Sequence, residues 1–446
     1  MYNLSSFSLN NIDNNVYYKL RSTTKFHIRD IFANYWDSFL DTFPNLKIRD
    51  IVFEEVDKVI NCGTINLGYT MYECEHCDNY TIAPHTCKSR FCSSCGNKYV
   101  NTRVINSKSK LMNIKHRHIV FTIPDSLRNL FLVDRIRINL LFESVIETFN
   151  WIFNPVSFHN KQKKKHLKRR NKRIKRVNKD SCLVPGIICV LHTYGRDLKW
   201  NPHIHVLITE GGLKNGSMSF KKYNHFNYET LRKTFQKILL DKLYYLFGPS
   251  FYFTKCKLYK EYNNGFYVYA HSRQFSNIQK GTEYVMRYSG KPAMAESRIT
   301  NVDYDNDLIT YWYDDHKTHK RVTVTEHVFE FIAKIIRHIP NKHFKTIRYY
   351  GLYAAKNHRY SSYYEKLHKL EKIRALMHRN TWRLNLIDHF NYDPILCECG
   401  HLMKKTYRVT PIRGKEDEWH ETFFGEPEPF KKANWEHFTG YCPTKY

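Results

Sequence analysis

Apolar residues dominate two neighbouring segments in the middle of the chain, with a polar stretch between them. The segments are GIICVLHTYG at 186–195 and HIHVLITEGG at 203–212, and the connection between them is RDLKWNP. This pattern predicts two β-strands joined as a hairpin. A further strand is predicted at HIVFTIP, residues 118–124, where Pro124 ends the apolar run.

Helical periodicity flanks these strands. Apolar positions recur near helical spacing in residues 25–62, 126–153 and 229–247. A shorter helix of about two turns is predicted between Gly281 and Gly290, where glycine and proline are absent. Strands separated by helices in this way predict an α+β fold with an antiparallel sheet flanked by helices.

The composition predicts a nucleic acid partner. The chain has 71 Lys and Arg against 42 Asp and Glu, a formal net charge of +29, and 15% aromatic residues that could stack on bases. Residues 161–179 contain 12 Lys or Arg and no acidic residue. Such a run is typical of a solvated insert, which can also clamp phosphates without reading sequence.

Neither a membrane partner nor secretion is predicted. The longest apolar candidate, NLLFESVIETFNWIF, is interrupted by Glu143 and Glu147 and is too short to span a bilayer. The opening residues lack the basic start and apolar centre of a secretory signal. We therefore expect a cytoplasmic protein with reduced cysteines.

Two Cys-x-x-Cys pairs predict a structural zinc site. Cys74 and Cys77 are separated by 14 residues from Cys92 and Cys95, which is close to the spacing of four-thiolate sites. Reactive or merely buried thiols are the alternative. Three other potential ligands lie nearby, and could replace one of the four or belong to a second site: Cys62, His85 and Cys87.

The cysteines near the C-terminus form a weaker pattern. Cys397 and Cys399 have one intervening residue, and only Cys442 follows them. This spacing favours a second zinc site less strongly than it favours unligated thiols.

The pair His203 and His205 predicts a divalent cation site. In a strand, residues two apart point to the same face, while Ile204 between them would anchor the strand in the core. His192 is expected roughly opposite His205 and is the first candidate for a third ligand, and His118 is the next. Strand histidines that are only hydrogen-bonded are the alternative.

A second His-x-His pair, His116 and His118, encloses the charged Arg117. Only the first pair has the pattern of a half-buried strand.

Tyr284 and Tyr288 are the predicted nucleophiles. Their spacing of four residues places both hydroxyls on one face of the predicted helix. A phenol with a pKa near 10 attacks a phosphodiester usefully only when a cation polarises the phosphate, so the histidine and tyrosine pairs support each other. Aromatic packing in a chain with 33 Tyr is the alternative.

Five blocks in fixed order carry a resemblance to a known family. They are HTCKSRFCSSC, RHIVFTIPDSLR, VLHTYGRDLKWNPHIHVLI, EYVMRYSGKPAMAESRI and FKTIRYYGL. In this order, over about residues 25–400, the chain resembles the rolling-circle transposases of the insertion-sequence ninety-one group. The chain has Asn201 where family members typically have a histidine, which alters the surroundings of the histidine pair but not the pair itself.

The resemblance implies a zinc-binding N-terminal region followed by a nuclease domain of the HUH type. His203 and His205 would hold Mg²⁺ or Mn²⁺, and Tyr284 and Tyr288 would each form a 5′-phosphotyrosine and leave a free 3′-hydroxyl. Single-stranded or hairpin transposon ends are the implied substrate, because the tyrosine must reach an unpaired backbone.

The predicted domains follow the chain in order. They are a helical region at 1–62, a zinc-binding module at 63–105, the nuclease domain at 106–310 with its basic insert at 159–180, a helical DNA-contacting region at 311–390, and a tail at 391–446. The residues expected to contact DNA phosphates are Lys88, Arg90, Lys98, Lys168, Arg169, Arg170 and Arg287.

Two alternative functions remain at this stage. A replication initiator or conjugative relaxase would share the histidine and tyrosine chemistry, although the cysteine pairs that precede the nuclease argue against it. A non-catalytic, zinc-dependent DNA-binding protein would use the histidine pair only structurally.

Overall fold

The fold was analysed in a computed structural model of the chain. The structure describes residues 25–77, 79–93, 95–96, 111–112, 114–153, 183–214, 219–223, 226–270, 292–315, 318–354, 383–384, 387, 393, 395–412 and 418–424.

The described residues form helices and strands in mixed order. The helices are α1 (Ile28–Thr42), α2 (Asp50–Ile60), α3 (Asp125–Val133), α4 (Ile138–Phe153), α5 (Tyr228–Phe247), α6 (Tyr252–Glu261) and α7 (Val328–Ile336). The strands are β1 (Tyr69–Glu73), β2 (Tyr80–Pro84), β3 (His116–Thr122), β4 (Leu183–Val184), β5 (Gly186–Tyr194), β6 (Trp200–Thr209), β7 (Gly211–Lys214), β8 (Phe220–Lys222), β9 (Val268–Ala270), β10 (Ile299–Asp303), β11 (Leu308–Asp314), β12 (Arg321–His327), β13 (Ile347–Gly351), β14 (Lys404–Pro411) and β15 (Trp419–Phe423).

The chain divides into two compact units that are not continuous in sequence. The small unit comprises Met1–Thr23, Asp57–Lys88 and Thr381–Tyr446, and the large unit comprises Thr24–Val56 and Ser89–Asn380. The predicted zinc-binding module and the predicted tail were drawn as separate regions. Much of both instead belongs to the small unit, because strands from the two regions pair with each other.

The small unit is built on a four-stranded antiparallel sheet in the order β15-β14-β1-β2. Gly68, directly before β1, has a φ of 86°, and a Cβ there would lie 2.3 Å from the carbonyl oxygen of Val409. Only glycine allows this close approach of β1 to β14. Beyond the other end of β1, Cys74 packs with Cys397 and Met403 in a small buried cluster.

The large unit contains a five-stranded antiparallel sheet in the order β13-β5-β6-β3-β9. The predicted hairpin is confirmed as β5 and β6, and β6 is the central strand of the sheet. The predicted strand at residues 118–124 is confirmed as β3, which begins two residues earlier at His116. The structure thus has the α+β class expected from the sequence.

One face of this sheet is covered by helices. Phe121 of β3 contacts Phe149 of α4 and Phe235 of α5, with ring centroids 5.5 and 5.0 Å apart. Ile204 of β6 is 1% exposed and belongs to the same apolar cluster. Alternation along β6 therefore sends His203 and His205 to the opposite face.

The region at 311–390, which is predicted as helical, contains more β-strand than expected. In its described part, residues 318–354 contain two strands, β12 and β13, and one helix, α7. The three-stranded sheet β10-β11-β12 precedes α7, which packs against α1 through Phe329 and Tyr35 at a centroid distance of 6.4 Å. The run of four β-branched residues in RVTVTEH explains why residues 321–327 form a strand.

Among the residues that the structure describes, no helix combines the length and the apolar character needed to cross a bilayer.

Candidate metal centre and zinc-binding cysteines

Three histidines converge on the face of the large sheet opposite α4 and α5. One side-chain nitrogen from each of His192, His203 and His205 lies within 4.8 Å of the other two. The ring centroids are 4.8 Å apart for His192 and His205, and 4.9 Å apart for His203 and His205. All three therefore point to one small volume, which is the arrangement of a metal centre.

Hydrogen bonds orient two of these rings. Nδ1 of His203 lies 2.7 Å from the carbonyl oxygen of Asn201, so Nδ1 carries the proton and donates. Its Nε2 then has the lone pair that a cation requires. Nδ1 of His205 lies 2.9 Å from Nε2 of His118, and their rings stack with planes 2° apart. His118 is thus placed to fix the orientation of His205.

Burial keeps His203 and His205 neutral. It lowers the pKa of His203 to about 4 and that of His205 well below its usual value, with the neighbouring imidazoles contributing to the second shift. Neutral imidazoles are the form that binds metal. The site can therefore accept a cation at neutral pH without first losing protons.

The donor set leaves room for substrate. Three imidazole nitrogens from one side of a cation leave the remaining positions to phosphate oxygens or water. No carboxylate joins this group within the described residues. The arrangement can therefore bring a phosphodiester to a divalent cation on the surface of the sheet.

Two details of the histidine predictions are corrected. His192 pairs with His203, whereas Val190 pairs with His205, because Tyr194 pairs with Trp200 and the turn of the hairpin therefore lies closer to β5 than expected. His192 nevertheless lies with His203 and His205, and its role as a third metal ligand stays a prediction. The pair His116 and His118, which the sequence pattern did not favour as a buried strand, lies in β3 with both rings buried.

The predicted nucleophiles Tyr284 and Tyr288 lie outside the described residues, as does Arg287 between them. The basic run at 161–179, with Lys168, Arg169 and Arg170, also lies outside them. The same holds for Lys98.

Two predicted phosphate-contacting residues are described. Lys88 is exposed and has a φ of 55°. Arg90 is half-buried, and its guanidinium donates to the hydroxyl of Thr346. Part of the hydrogen-bonding capacity of Arg90 is therefore used inside the large unit.

The predicted grouping of cysteines is corrected by the structure. Cys74 and Cys77 lie beside Cys397 and Cys399, with all four sulfurs within 4.8 Å of one another. Cys92 and Cys95 are absent from this group.

The other predicted zinc ligands divide between the units. Cys92 and Cys95 belong to the large unit, where both are buried. Cys62 and Cys87 belong to the small unit, where the amide of Cys87 donates to the sulfur of Cys62 at 3.4 Å. Spacing alone did not reveal the actual partners of Cys74 and Cys77, because those partners are 320 or more residues away.

Arg128 is a charged residue near the histidines that the sequence patterns did not single out. Burial is the largest cause of the lowered pKa of His203, and the positive charge of Arg128 lowers it further. Its carbonyl oxygen accepts a hydrogen bond of 2.9 Å from the indole of Trp200, which holds α3 against the start of β6. A cation beside a phosphate site can share the phosphate charge.

Two family models match the chain. The model described as "Transposase zinc-binding domain" matches residues 31–123, and the model described as "Putative transposase" matches residues 186–360. The second range includes the hairpin that bears His192, His203 and His205. No solved structure matches the chain.

Curated relatives match over most of the chain. The "Transposase for insertion sequence element IS801" of Pseudomonas savastanoi pv. phaseolicola is 30% identical over 82% of this chain and 86% of its own length. The "Putative transposase y4qJ" of Sinorhizobium fredii is 23% identical over 73% of this chain and 79% of its own length. Together with the two domain matches, these similarities show that the chain belongs to the IS91 and IS801 family of insertion-sequence transposases.

Proposed function

We propose that this transposase nicks and rejoins single-stranded DNA at transposon ends through a tyrosine nucleophile, by rolling-circle transposition. The observation that supports this proposal most directly is the convergence of His192, His203 and His205 on one face of the sheet. Family membership implies DNA cleavage and transfer. It also favours a transposase over a replication initiator or relaxase.

In this proposal His203 and His205 hold Mg²⁺ or Mn²⁺, and His192 is the third ligand. When bound, the cation draws charge from the non-bridging oxygens of the scissile phosphate. The hydrogen bond that His203 donates to the carbonyl oxygen of Asn201, and the one between His205 and His118, hold the two imidazoles in place before substrate arrives. Such preorganisation lowers the cost of reaching the transition state.

Tyr284 or Tyr288 supplies the nucleophile. The phenol oxygen forms a bond to phosphorus, the bond from phosphorus to the 3′ oxygen breaks, and the phenol proton ends on the released 3′-hydroxyl. The 5′-phosphotyrosine keeps the energy of the phosphodiester, so a 3′-hydroxyl can reverse the step without a nucleotide cofactor. A second tyrosine allows a second strand to be cut while the first is attached.

The remaining predicted residues serve binding in this proposal. Cys92 and Cys95 have the spacing of a zinc knuckle and lie within the matched zinc-binding domain, which supports structural Zn²⁺ there. The residues that contact DNA phosphates in this proposal are Lys88, Arg90, Lys98, Lys168, Arg169, Arg170 and Arg287.

The decisive experiment is a covalent adduct assay. Purified protein, Mn²⁺ and a single-stranded oligonucleotide carrying the transposon end are incubated, and protein-bound DNA is resolved on a denaturing gel. Wild type is expected to form an adduct, and the double variant Y284F/Y288F to form none while still binding the oligonucleotide. Tyr245→Phe is the matched control, because this tyrosine is 90% exposed on α5.

Two results would overturn the proposal. An adduct that survives in Y284F/Y288F at the wild-type level would assign the nucleophile elsewhere. DNA binding by wild type without any adduct, with Mn²⁺ and authentic end sequence present, would favour the non-catalytic DNA-binding alternative.

A further inference from the structure

The four cysteines of the small unit have the geometry of a closed metal site. The sulfurs of Cys74 and Cys399 are 3.5 Å apart, and those of Cys77 and Cys397 are 3.4 Å apart. These distances exclude a disulfide, whose sulfurs are about 2.05 Å apart. They lie close to the separation of about 3.8 Å expected for sulfurs around tetrahedral zinc with bonds of about 2.3 Å.

Each sulfur also receives an N–H donor. The backbone amides of His76, Asn79 and His401 donate to Cys74, Cys77 and Cys399, in each case from two residues along the chain. The side-chain amide of Asn79 approaches the sulfur of Cys397 at 3.9 Å. Donors aimed at sulfur favour the thiolate, which is the form that binds metal.

Without a cation the four sulfurs are unfavourably placed for the thiolate form, because all of them lie within 4.8 Å of one another. Four thiolates at this distance repel one another, and a divalent cation at their centre removes the repulsion.

Strand pairing brings the two cysteine pairs to the same end of the sheet. Glu73, the last residue of β1, pairs with Lys404, the first residue of β14. Cys74 follows β1 directly, and Cys397 lies in a turn before β14, where its amide donates to the carbonyl of His401 at 2.9 Å. Gly400 makes this turn with a φ of 87°.

We propose that Cys74, Cys77, Cys397 and Cys399 bind one Zn²⁺ that fastens the C-terminal strands to the N-terminal zinc-binding region. The matched zinc-binding domain ends at residue 123, so two of these ligands come from outside it. The zinc closes a loop of more than 300 residues between the two pairs. In the sequence, residues Ser89–Asn380 of the large unit lie between the two cysteine pairs.

The test is metal stoichiometry of the full-length protein. Zinc per chain is measured for wild type, C74S/C77S, C397S/C399S and the quadruple variant. Each double variant is expected to lose one equivalent, and the quadruple variant to lose no more than one. Cys256→Ser is the control, because Cys256 on α6 lies in neither group of cysteines among the described residues. This variant should have the same zinc content as wild type.

A second measurement separates loss of a ligand from general misfolding. C399H keeps four possible zinc ligands, so it should retain the zinc equivalent. After substitution with Co²⁺, its visible absorption should shift toward that of a three-sulfur, one-nitrogen site. Wild-type zinc content in C397S/C399S, or loss of two equivalents in the quadruple variant, would overturn the proposal. So would a cobalt spectrum unaffected by C399H. None of these readouts depends on nuclease activity.

Discussion

At the scale of single residues, the geometry of the candidate metal centre depends on side chains that do not themselves join the group of three. His118 contributes no atom to the group of His192, His203 and His205, yet its Nε2 lies 2.9 Å from Nδ1 of His205. A hydrogen bond to the far nitrogen of a metal-binding histidine fixes the tautomer and the ring angle. The orientation of His205 therefore has its cause in the neighbouring strand β3.

Substituting His118 should weaken metal binding without abolishing it. Loss of an outer hydrogen bond typically costs about 10-fold to 100-fold in metal affinity. We expect His118→Phe to reduce Mn²⁺ affinity within that range, and H203A/H205A to remove detectable binding. Isothermal titration calorimetry with zinc-loaded protein measures both. His420→Gln, an exposed histidine of β15, should bind as wild type, and equal affinity for wild type and His118→Phe would contradict the assigned role.

His116, a second buried histidine of β3, should make the large unit sensitive to acid. His116 donates from Nδ1 to the carbonyl of Ile114 and accepts at Nε2 from the hydroxyl of Tyr353. Burial lowers the pKa of His116 to about 4. Below its unfolded pKa of about 6.5, the unfolded chain binds a proton that the folded chain does not, so stability falls as pH falls from about 6.5 to 4.

His116→Gln should reduce that dependence. One proton corresponds to a slope of at most about 1.4 kcal/mol per pH unit in this window. Urea unfolding followed by tryptophan fluorescence at several pH values gives the slope, which should be smaller in His116→Gln than in wild type. Parallel profiles for the two proteins would show that His116 is protonated equally in the folded and unfolded states.

At the scale of elements, the alternation of β6 separates packing from chemistry. Ile204, Val206 and Ile208 belong to the apolar cluster on the helical side of the sheet, while His203 and His205 lie on the other side. The strand can therefore hold two imidazoles in place because the residue between them is fixed in a core. The residues of β6 that pack in the core are therefore different from those that point to the candidate metal centre.

Truncating Ile204 should destabilise the fold while leaving the metal ligands in place. Replacing a buried isoleucine by alanine costs about 2–5 kcal/mol. We expect Ile204→Ala to lower the urea midpoint clearly, with Mn²⁺ still binding at low temperature. Lys199→Ala, whose side chain is 78% exposed in the preceding turn, should leave the midpoint nearly unchanged. An unaltered midpoint in Ile204→Ala would contradict the packing described.

The sequence allowed the hairpin to be predicted because its signals are local. The apolar runs of β5 and β6 and the polar connection between them are contiguous, so the strands and the shared face of His203 and His205 could be read from spacing. The register of β5 against β6 could not be predicted from spacing, because it includes an irregularity between His192 and Tyr194. The cysteines that lie beside Cys74 and Cys77 could not be predicted either, since the pairing of β1 with β14 joins distant parts of the chain.

At the scale of the whole molecule, the charge of the protein should determine how it holds DNA. A net charge of +29 opposes the compact state unless a polyanion or counterions neutralise it, and some basic residues of the large unit are paired with acidic side chains. Lys233, Lys237 and Lys257 each contact an acidic residue four positions along their helix. Unpaired basic residues bind phosphates with release of counterions, whereas paired ones release fewer.

Two triple variants with the same change in net charge test this distinction. Replacing Lys168, Arg169 and Arg170 of the basic run by alanine should weaken binding of a single-stranded oligonucleotide at low salt. It should also make the plot of log affinity against log salt concentration shallower by about 2, since each phosphate contact on a single strand contributes about 0.7. Replacing the three paired lysines, Lys233, Lys237 and Lys257, by alanine should change neither quantity appreciably. Fluorescence anisotropy at a series of salt concentrations measures both slopes. If the two variants lose affinity and slope equally, net charge alone accounts for binding, and the basic run has no special part in holding DNA.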